Sequence, residues 1–297
     1  MTRSSAFAVL AAANLMWAGN WVLGRALRDE FEPVALNFWR WAVAVAVLAP
    51  FAVPGLWVKR DVLRRHWAIL LLLAFLGVAV FQSLVYLGLK TTTTVNAVLL
   101  NSSAPLFMLL CSWVLERERA TARQLAGILV SLAGILVIMT RGELGRLLHF
   151  EFHAGDAWIL LAMPVWGFYS VLLKRRPAEL GGTELLFVIS LAGMALLVPA
   201  LAVEMQFAPP RMPGVAAAAG VLYMGLFASA GAFFCWNRGV AAVGPNAAGF
   251  TLHLLPAFGT LLAILFLGES FQLFHAAGIA TILAGVIVAT RAARPGP

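Results

Sequence analysis

Apolar residues fall into ten long runs, near 4–27, 33–53, 67–89, 93–115, 122–140, 155–174, 183–203, 213–237, 245–267 and 271–290, separated by short segments where charges, prolines and glycines collect. Each run approaches the roughly 20 residues that cross the hydrocarbon core of a bilayer, where the backbone must satisfy its own hydrogen bonds. The pattern therefore predicts an all-α polytopic membrane protein with ten transmembrane helices. The first run holds an alanine stretch, Ala11 to Ala13, of the kind found at signal-peptide cleavage sites. It is too long for a signal peptide and stays apolar beyond that stretch, so it is expected to be an uncleaved first helix.

Composition agrees with this picture. Of 297 residues, 62% are hydrophobic and only 11% charged, with a mean hydropathy of +0.91. A soluble domain carries about a quarter charged residues. The 14 prolines and 26 glycines are compatible with membrane helices, where neighbouring helices satisfy the backbone groups a kink releases. A net charge of +8 raises the question of nucleic acid, but Lys and Arg sit in short loop clusters rather than on a basic face. They are better read as a topology signal. With a cytoplasmic N-terminus, 14 of the 21 basic residues fall inside, in clusters such as Lys59–Arg65, Arg117–Arg123 and Lys174–Arg176. Six fall outside and Arg40 lies within a helix, which satisfies the positive-inside rule with an even number of helices. Cys111 and Cys235 both lie in apolar runs, without metal-ligand spacing, and are expected to pack.

The chain also repeats itself. Gly278 to Val288 reads G-I-A-T-I-L-A-G-V-I-V and echoes G-I-L-V-S-L-A-G-I-L-V, which begins at Gly127, 151 residues earlier. At the same offset Pro105 pairs with Pro256, Glu118 with Glu269, Gly134 with Gly285 and Gly88 with Gly239. Near the start of each half the offset is 149, matching Trp17 to Trp166 and Arg25 to Lys174. The expected units are residues 1–147 and 148–297. Five helices is an odd number, so the second unit enters the membrane from the opposite side. Inverted repeats of this kind are the architecture of many secondary transporters.

These residues resemble the drug/metabolite transporter superfamily, in particular its EamA-type members with two five-helix repeats. The second half carries the P…LGE…G…G pattern as Pro256, Leu267-Gly268-Glu269, Gly278 and Leu283-Ala284-Gly285. The first half carries it as Pro105, Leu115-Glu116-Arg117-Glu118, Gly127 and Leu132-Ala133-Gly134. Trp17 and Trp166, each followed eight positions later by a basic residue, fit the opening helix of the repeat. Within the superfamily the chain looks most like the YddG-type exporters of aromatic amino acids. The resemblance implies a carrier exporting neutral, especially aromatic, amino acids or similar metabolites across a bacterial inner membrane. The alternative is a carrier of the same superfamily for another metabolite, an organic cation or a drug, with proton coupling through His253.

A carrier of inverted-repeat design holds its substrate near the bilayer midplane, between the repeats. Trp17 and Trp166 are central in their helices and each is followed on the same face by a polar group, Asn20 and Tyr169. They line a substrate cavity or pack between helices. Trp57, Trp67, Trp113 and Trp158 lie near helix ends and suit the interfacial aromatic belt. Asn101, Ser102 and Ser103 precede Pro105, and His253, at the position equivalent to Ser102, precedes Pro256. The prolines are expected to kink or open these helices beside polar side chains that bind substrate or hydrogen-bond a neighbouring helix. Arg40 either binds a carboxylate or snorkels toward the acidic loop Asp29, Glu30 and Glu32, and the second is the expected behaviour. Tyr86, Trp236 and Asn237 line vestibules or belong to the belt. Glu118 and Glu269 are expected to cap or hold the turns before the fifth and tenth helices.

All thirteen acids fall in loops or near helix ends. Proton-driven carriers use intramembrane carboxylates as relays, so the sequence favours facilitated transport without strong ion coupling. No G-x-S-x-G, H-E-x-x-H, Cys-His cluster or acid pair supports an enzyme. A phosphorylated metabolite would need more buried cations than Arg40 alone. A channel or purely structural role is the remaining rival. No metal or cofactor is expected. The expected partners are a small-molecule substrate and the lipid bilayer, without nucleic acid, and the expected state is a monomer with both termini cytoplasmic.

Overall fold

The computed structural model describes residues 1–143, 145, 151–208, 213–267 and 271–291. Among them, nine helices are long and apolar enough to cross a membrane. In chain order they are α1 (Arg3–Ala26), α2 (Pro33–Val58), α3 (Trp67–Thr91), α4 (Asn96–Glu116), α5 (Ala122–Met139), α6 (Ala154–Arg175), α7 (Gly182–Phe207), α8 (Val215–Val243) and, after one further segment, α10 (Leu273–Arg291). The remaining segment, α9, is helical throughout but changes pitch. A short turn at Pro245–Gly249 passes through a 3-10 stretch at Phe250–His253 into Leu254–Leu267. The chain is a multi-pass helical membrane protein, and large apolar side chains such as Phe51, Leu129 and Leu265 stand exposed around its perimeter.

Several boundaries differ from the sequence reading. The second helix does not stop at 53 but continues through Pro50 and Pro54 to Val58, and α8 continues past 237 to Val243. Proline interrupts a membrane helix weakly because packed neighbours take up the freed backbone groups. At the N-terminus of α2, the Glu204 carboxylate at the far end of α7 accepts from the Val34 and Ala35 amides at 2.9 and 2.8 Å. That fastens the two helices antiparallel and places a negative charge at a positive helix end. The expected break between units, at 147/148, lies outside the described residues.

The inverted repeat is visible in the contacts. Gly127, early in α5, is packed against Gly285, late in α10, while Gly134, late in α5, is packed against Gly278, early in α10. Added Cβ atoms at Gly127 and Gly134 would lie 2.7 Å from the Gly285 and Gly278 carbonyl oxygens. The two helices are therefore antiparallel, and exchanging the halves turns one contact into the other. At the centre of this seam Ser131 donates to the carbonyl of Ile282, its own counterpart 151 residues on. A group that touches its own repeat-mate lies on the two-fold axis. Arg3 at the start of α1 donates to the Thr290 carbonyl near the end of α10, which puts the start of α1 and the end of α10 on one face.

The symmetry reaches local backbone detail. The third helix of each unit contains a wide π-helical stretch, Phe75–Val80 in α3 and Met224–Gly231 in α8. Such stretches leave carbonyls outside the regular ladder. Asn37 donates to the Val78 carbonyl, while Trp17 and Arg40 both donate to the Ala228 carbonyl.

Candidate functional site

Two more self-equivalent pairs mark the axis. Trp17 and Trp166 meet edge to face with ring centroids 5.2 Å apart. The His253 ring nitrogen Nε2 lies 2.9 Å from the Ser102 carbonyl, and since a carbonyl only accepts, Nε2 carries the proton. Around the tryptophan pair the rings of Phe81, Tyr169, Phe233 and Trp236 close in, at centroid separations of 4.7 to 6.0 Å. Both units contribute, and every ring is buried. The belt or vestibule reading of Trp236, Tyr86 and Asn237 is corrected here. α8 extends beyond 237 and α3 beyond 89, so these residues lie deeper than the apolar runs suggested, and all three are buried. Trp57 and Trp67, 75% and 63% exposed, are perimeter residues.

Beside the rings lie two matched hydrogen bonds. Tyr86 on α3 donates to Asn20 Oδ1 on α1 at 3.0 Å, and Tyr169 on α6 donates to Asn237 Oδ1 on α8 at 2.8 Å. At the repeat offsets Asn20 corresponds to Tyr169 and Tyr86 to Asn237. The bond is thus kept in both units with its partners exchanged. Gly24 and Gly77 carry no bulk beside these groups; added Cβ atoms would lie 3.0 Å from the Tyr86 ring and 2.5 Å from the Tyr169 ring.

Arg40 is fully buried and does not snorkel, contrary to expectation. Its Nε donates to Ser229 Oγ at 2.7 Å, one terminal nitrogen to the Tyr86 hydroxyl at 2.9 Å, and the other to the Ala228 carbonyl at 3.2 Å. The side chain turns across the α2–α8 interface because the π-helical stretch of α8 offers it an acceptor there. Its guanidinium carbon stands 5.3 Å from the Trp41 ring centroid, and Trp41 packs on Phe233 at 4.9 Å. The acidic loop is engaged elsewhere: Glu32 pairs with Lys90 and Asp29 with Arg28.

The two proline-bearing segments open in different ways. α4 breaks into a turn at Ser102 and Ser103, with Pro105 in the first turn of the helix that resumes at Ala104; α9 tightens into its 3-10 stretch, with Pro256 in the first turn that follows. Ser102 spends its hydroxyl on the Val98 carbonyl, and Asn101 is buried with an unpartnered amide nitrogen. Unpartnered buried donors recur in the cluster itself, at Trp166, Trp236, Trp41 and Asn237. Buried polar groups without partners are uncommon, and those at the aromatic centre are donors.

Elsewhere, Glu118 does more than hold its own turn. It pairs with Lys174 at the end of α6 and accepts from Asn246 at the start of α9. Glu269 lies outside the described residues. On the opposite face Asp156 is buried, accepting from Asn96 and from the His153 amide at 2.9 and 2.8 Å, with a further contact from Thr92. A cavity of about 1000 Å³ between α2, α7 and α8 is walled by Trp39, Val43, Glu204, Met205, Phe207 and Leu222, and none of the candidate residues lines it. Among the described residues no cluster of His, Cys, Asp or Glu could hold a metal ion.

A pair of five-helix units, inverted about an axis that runs through a shared aromatic centre, is a transporter arrangement, and the EamA-like transporter family matches residues 4–140 and 153–291. The chain belongs to the EamA-like transporter family. It is a transporter, not an enzyme. Among its relatives, a probable terminal-alkyne amino-acid exporter of Streptantibioticus cattleyicolor is 31% identical over 98% of this chain and 95% of its own length. An uncharacterized transporter of Archaeoglobus fulgidus is 27% identical over 95% of this chain and 96% of its own. A solved structure, described only as the crystal structure of a protein, superposes with a TM-score of 0.77 over 98% of both chains at 24% identity, which shows the shared fold. This EamA-like transporter thus has its family's two repeats over nearly its whole length. The repeat signal in the sequence found Trp17 and Trp166, but it missed Trp41 and Phe233, which no motif singles out.

Proposed function

We propose that this transporter exports neutral amino acids, aromatic ones especially, across a bacterial inner membrane by alternating access, with both termini in the cytoplasm and without strong ion coupling. The observation that carries the reading is the aromatic centre on the two-fold axis, where Trp17 and Trp166 meet among rings from both units. In inverted-repeat carriers the substrate site lies at the interface of the repeats near the midplane, and aromatic faces favour a flat apolar group. In the conformation described the rings close on one another, so a substrate enters by parting them. The surrounding unpartnered donors suit the acceptor atoms of an amino acid rather than a compact cation. The exporter relative in Streptantibioticus cattleyicolor supports an amino-acid cargo, and the charge bias of the loops supports the orientation.

The test is uptake of labelled phenylalanine, tryptophan, threonine and choline into proteoliposomes, with Trp17→Ala and Trp166→Ala alongside. Phenylalanine and tryptophan should be carried and both variants should lose most of that flux. Carriage of choline without phenylalanine, or full flux in both variants, would overturn the reading. A reporter that works only in the cytoplasm should be active when fused to the C-terminus.

A further inference from the structure

Arg40 is a cation without a counter-ion. It is fully buried, and among the described residues no carboxylate forms an ion pair with it. Removing a charge from water costs several kcal/mol unless it is paired, and chains keep such a residue inside a membrane where it serves a pathway or a ligand. A guanidinium has five N–H hydrogens, one on Nε and two on each terminal nitrogen. Three are used: Nε on Ser229, one terminal nitrogen on Tyr86 and the other on Ala228. One hydrogen therefore remains on each terminal nitrogen, and this fork of two donors is left for the oxygens of a carboxylate. The three existing bonds and the Trp41 and Tyr86 rings hold the guanidinium against rotation. Trp17 shares the Ala228 carbonyl with Arg40, and Trp41 links Arg40 to Phe233, so the fork and the aromatic centre adjoin.

We propose that Arg40 is the receptor for the substrate's carboxylate and that it makes the carboxylate, rather than the amino group, the obligatory part of the cargo. This rests on the amino-acid reading above and goes further, since aromatic faces alone would accept amines and carboxylates alike. The predicted order of binding is set by which end of the ligand is charged. Phenylalanine and 3-phenylpropionate carry the carboxylate and phenethylamine does not.

The experiment measures binding of these three ligands to the purified wild-type protein by thermal shift and by competition with labelled phenylalanine, in chloride-containing and chloride-free buffer, and then in Arg40→Gln and Arg40→Lys. Phenethylamine should bind about 100-fold more weakly than phenylalanine, the loss expected when a buried donor pair is left without its acceptor, while 3-phenylpropionate stays close to phenylalanine. Arg40→Gln should erase the difference between phenylpropionate and phenethylamine, and Arg40→Lys, which offers a point charge but no fork, should restore part of it. The comparison of ligands on the wild type decides the matter even where a variant fails to fold. Equal binding of phenylalanine and phenethylamine would overturn the role of Arg40 and leave the amino-acid reading standing. Stabilisation by chloride with no ranking among the organic ligands would assign the fork to a free anion and overturn it too. Failure of all three ligands to bind would remove the amino-acid reading and this proposal together.

Discussion

The exchanged Tyr–Asn pairs show how two diverged repeats keep one interaction while changing both residues. What each unit preserves is a phenol donating to an amide oxygen across its first and third helices, not a residue at a position. Removing one partner of a buried bond strands the other, at a cost of about 1–3 kcal/mol. Tyr169→Phe is thus expected to lower stability by that amount, because it leaves Asn237, whose amide nitrogen already lacks a partner, without any bond. Adding Asn237→Leu should recover part of the loss, and a double-mutant cycle of detergent-solubilised protein by thermal or chemical denaturation should give a coupling of about 0.5–3 kcal/mol. Additive losses would show that the bond contributes nothing. At this scale the sequence was legible only in part. The offset of 149 pairs Asn20 with Tyr169, but an unlike pair looks like divergence unless the partner pair, Tyr86 and Asn237, is exchanged at the same time. The burial of Arg40 was hidden for a different reason: two of its three acceptors come from α8, 188 and 189 residues away, and the third from α3.

Among the helices, the α5–α10 seam was the most legible. Its four glycines stand out in the repeat, and a glycine spaced seven residues from another lies two turns along the same helix face. Backbone contact of this kind is how membrane helices approach closely without a hydrophobic drive between them. Gly285→Ala would set a Cβ 2.5 Å from the Ser131 amide nitrogen and 2.6 Å from the Gly127 carbonyl oxygen. The expected outcome is overpacking that costs about 1–3 kcal/mol and lowers the melting temperature in detergent, with Gly278→Ala producing a similar loss through the Gly134 carbonyl. Unchanged melting in both would show that the seam yields freely. The π-helical stretches could not be read in advance. Phe75–Val80 and Met224–Gly231 are as apolar as their surroundings, and the wider turn is stabilised by Asn37, Trp17 and Arg40, which reach in from other helices.

For the molecule as a whole, inverted repetition was deducible from the odd number of helices per unit together with the offsets. It is seen in the self-equivalent contacts Trp17–Trp166, Ser102–His253 and Ser131–Ile282. Which conformation the chain adopts was not deducible, because it depends on how contacts at the two faces balance. His253 on the axis donates to a carbonyl, a bond that the neutral imidazole satisfies without a carboxylate beside it. Transport should accordingly respond weakly to an imposed pH gradient, and His253→Ala should reduce flux without changing that response. Accumulation of substrate far above equilibrium under a proton gradient alone, surviving in His253→Ala, would contradict this.

The axis has one more consequence. If the two units were identical, exchanging their roles would convert a conformation open to one side into its mirror in energy, open to the other, and the carrier would rest equally in both. Every departure from identity lifts that degeneracy. The first unit has the guanidinium of Arg40 tied to α8, the phenol of each matched bond sits on the third helix of one unit and the first helix of the other, and the imidazole of His253 faces only a backbone oxygen from its partner. Under the alternating-access reading proposed above, the preferred resting side is set by a few unlike residues around an otherwise balanced pivot, and exchanging such residues between the units should turn it around.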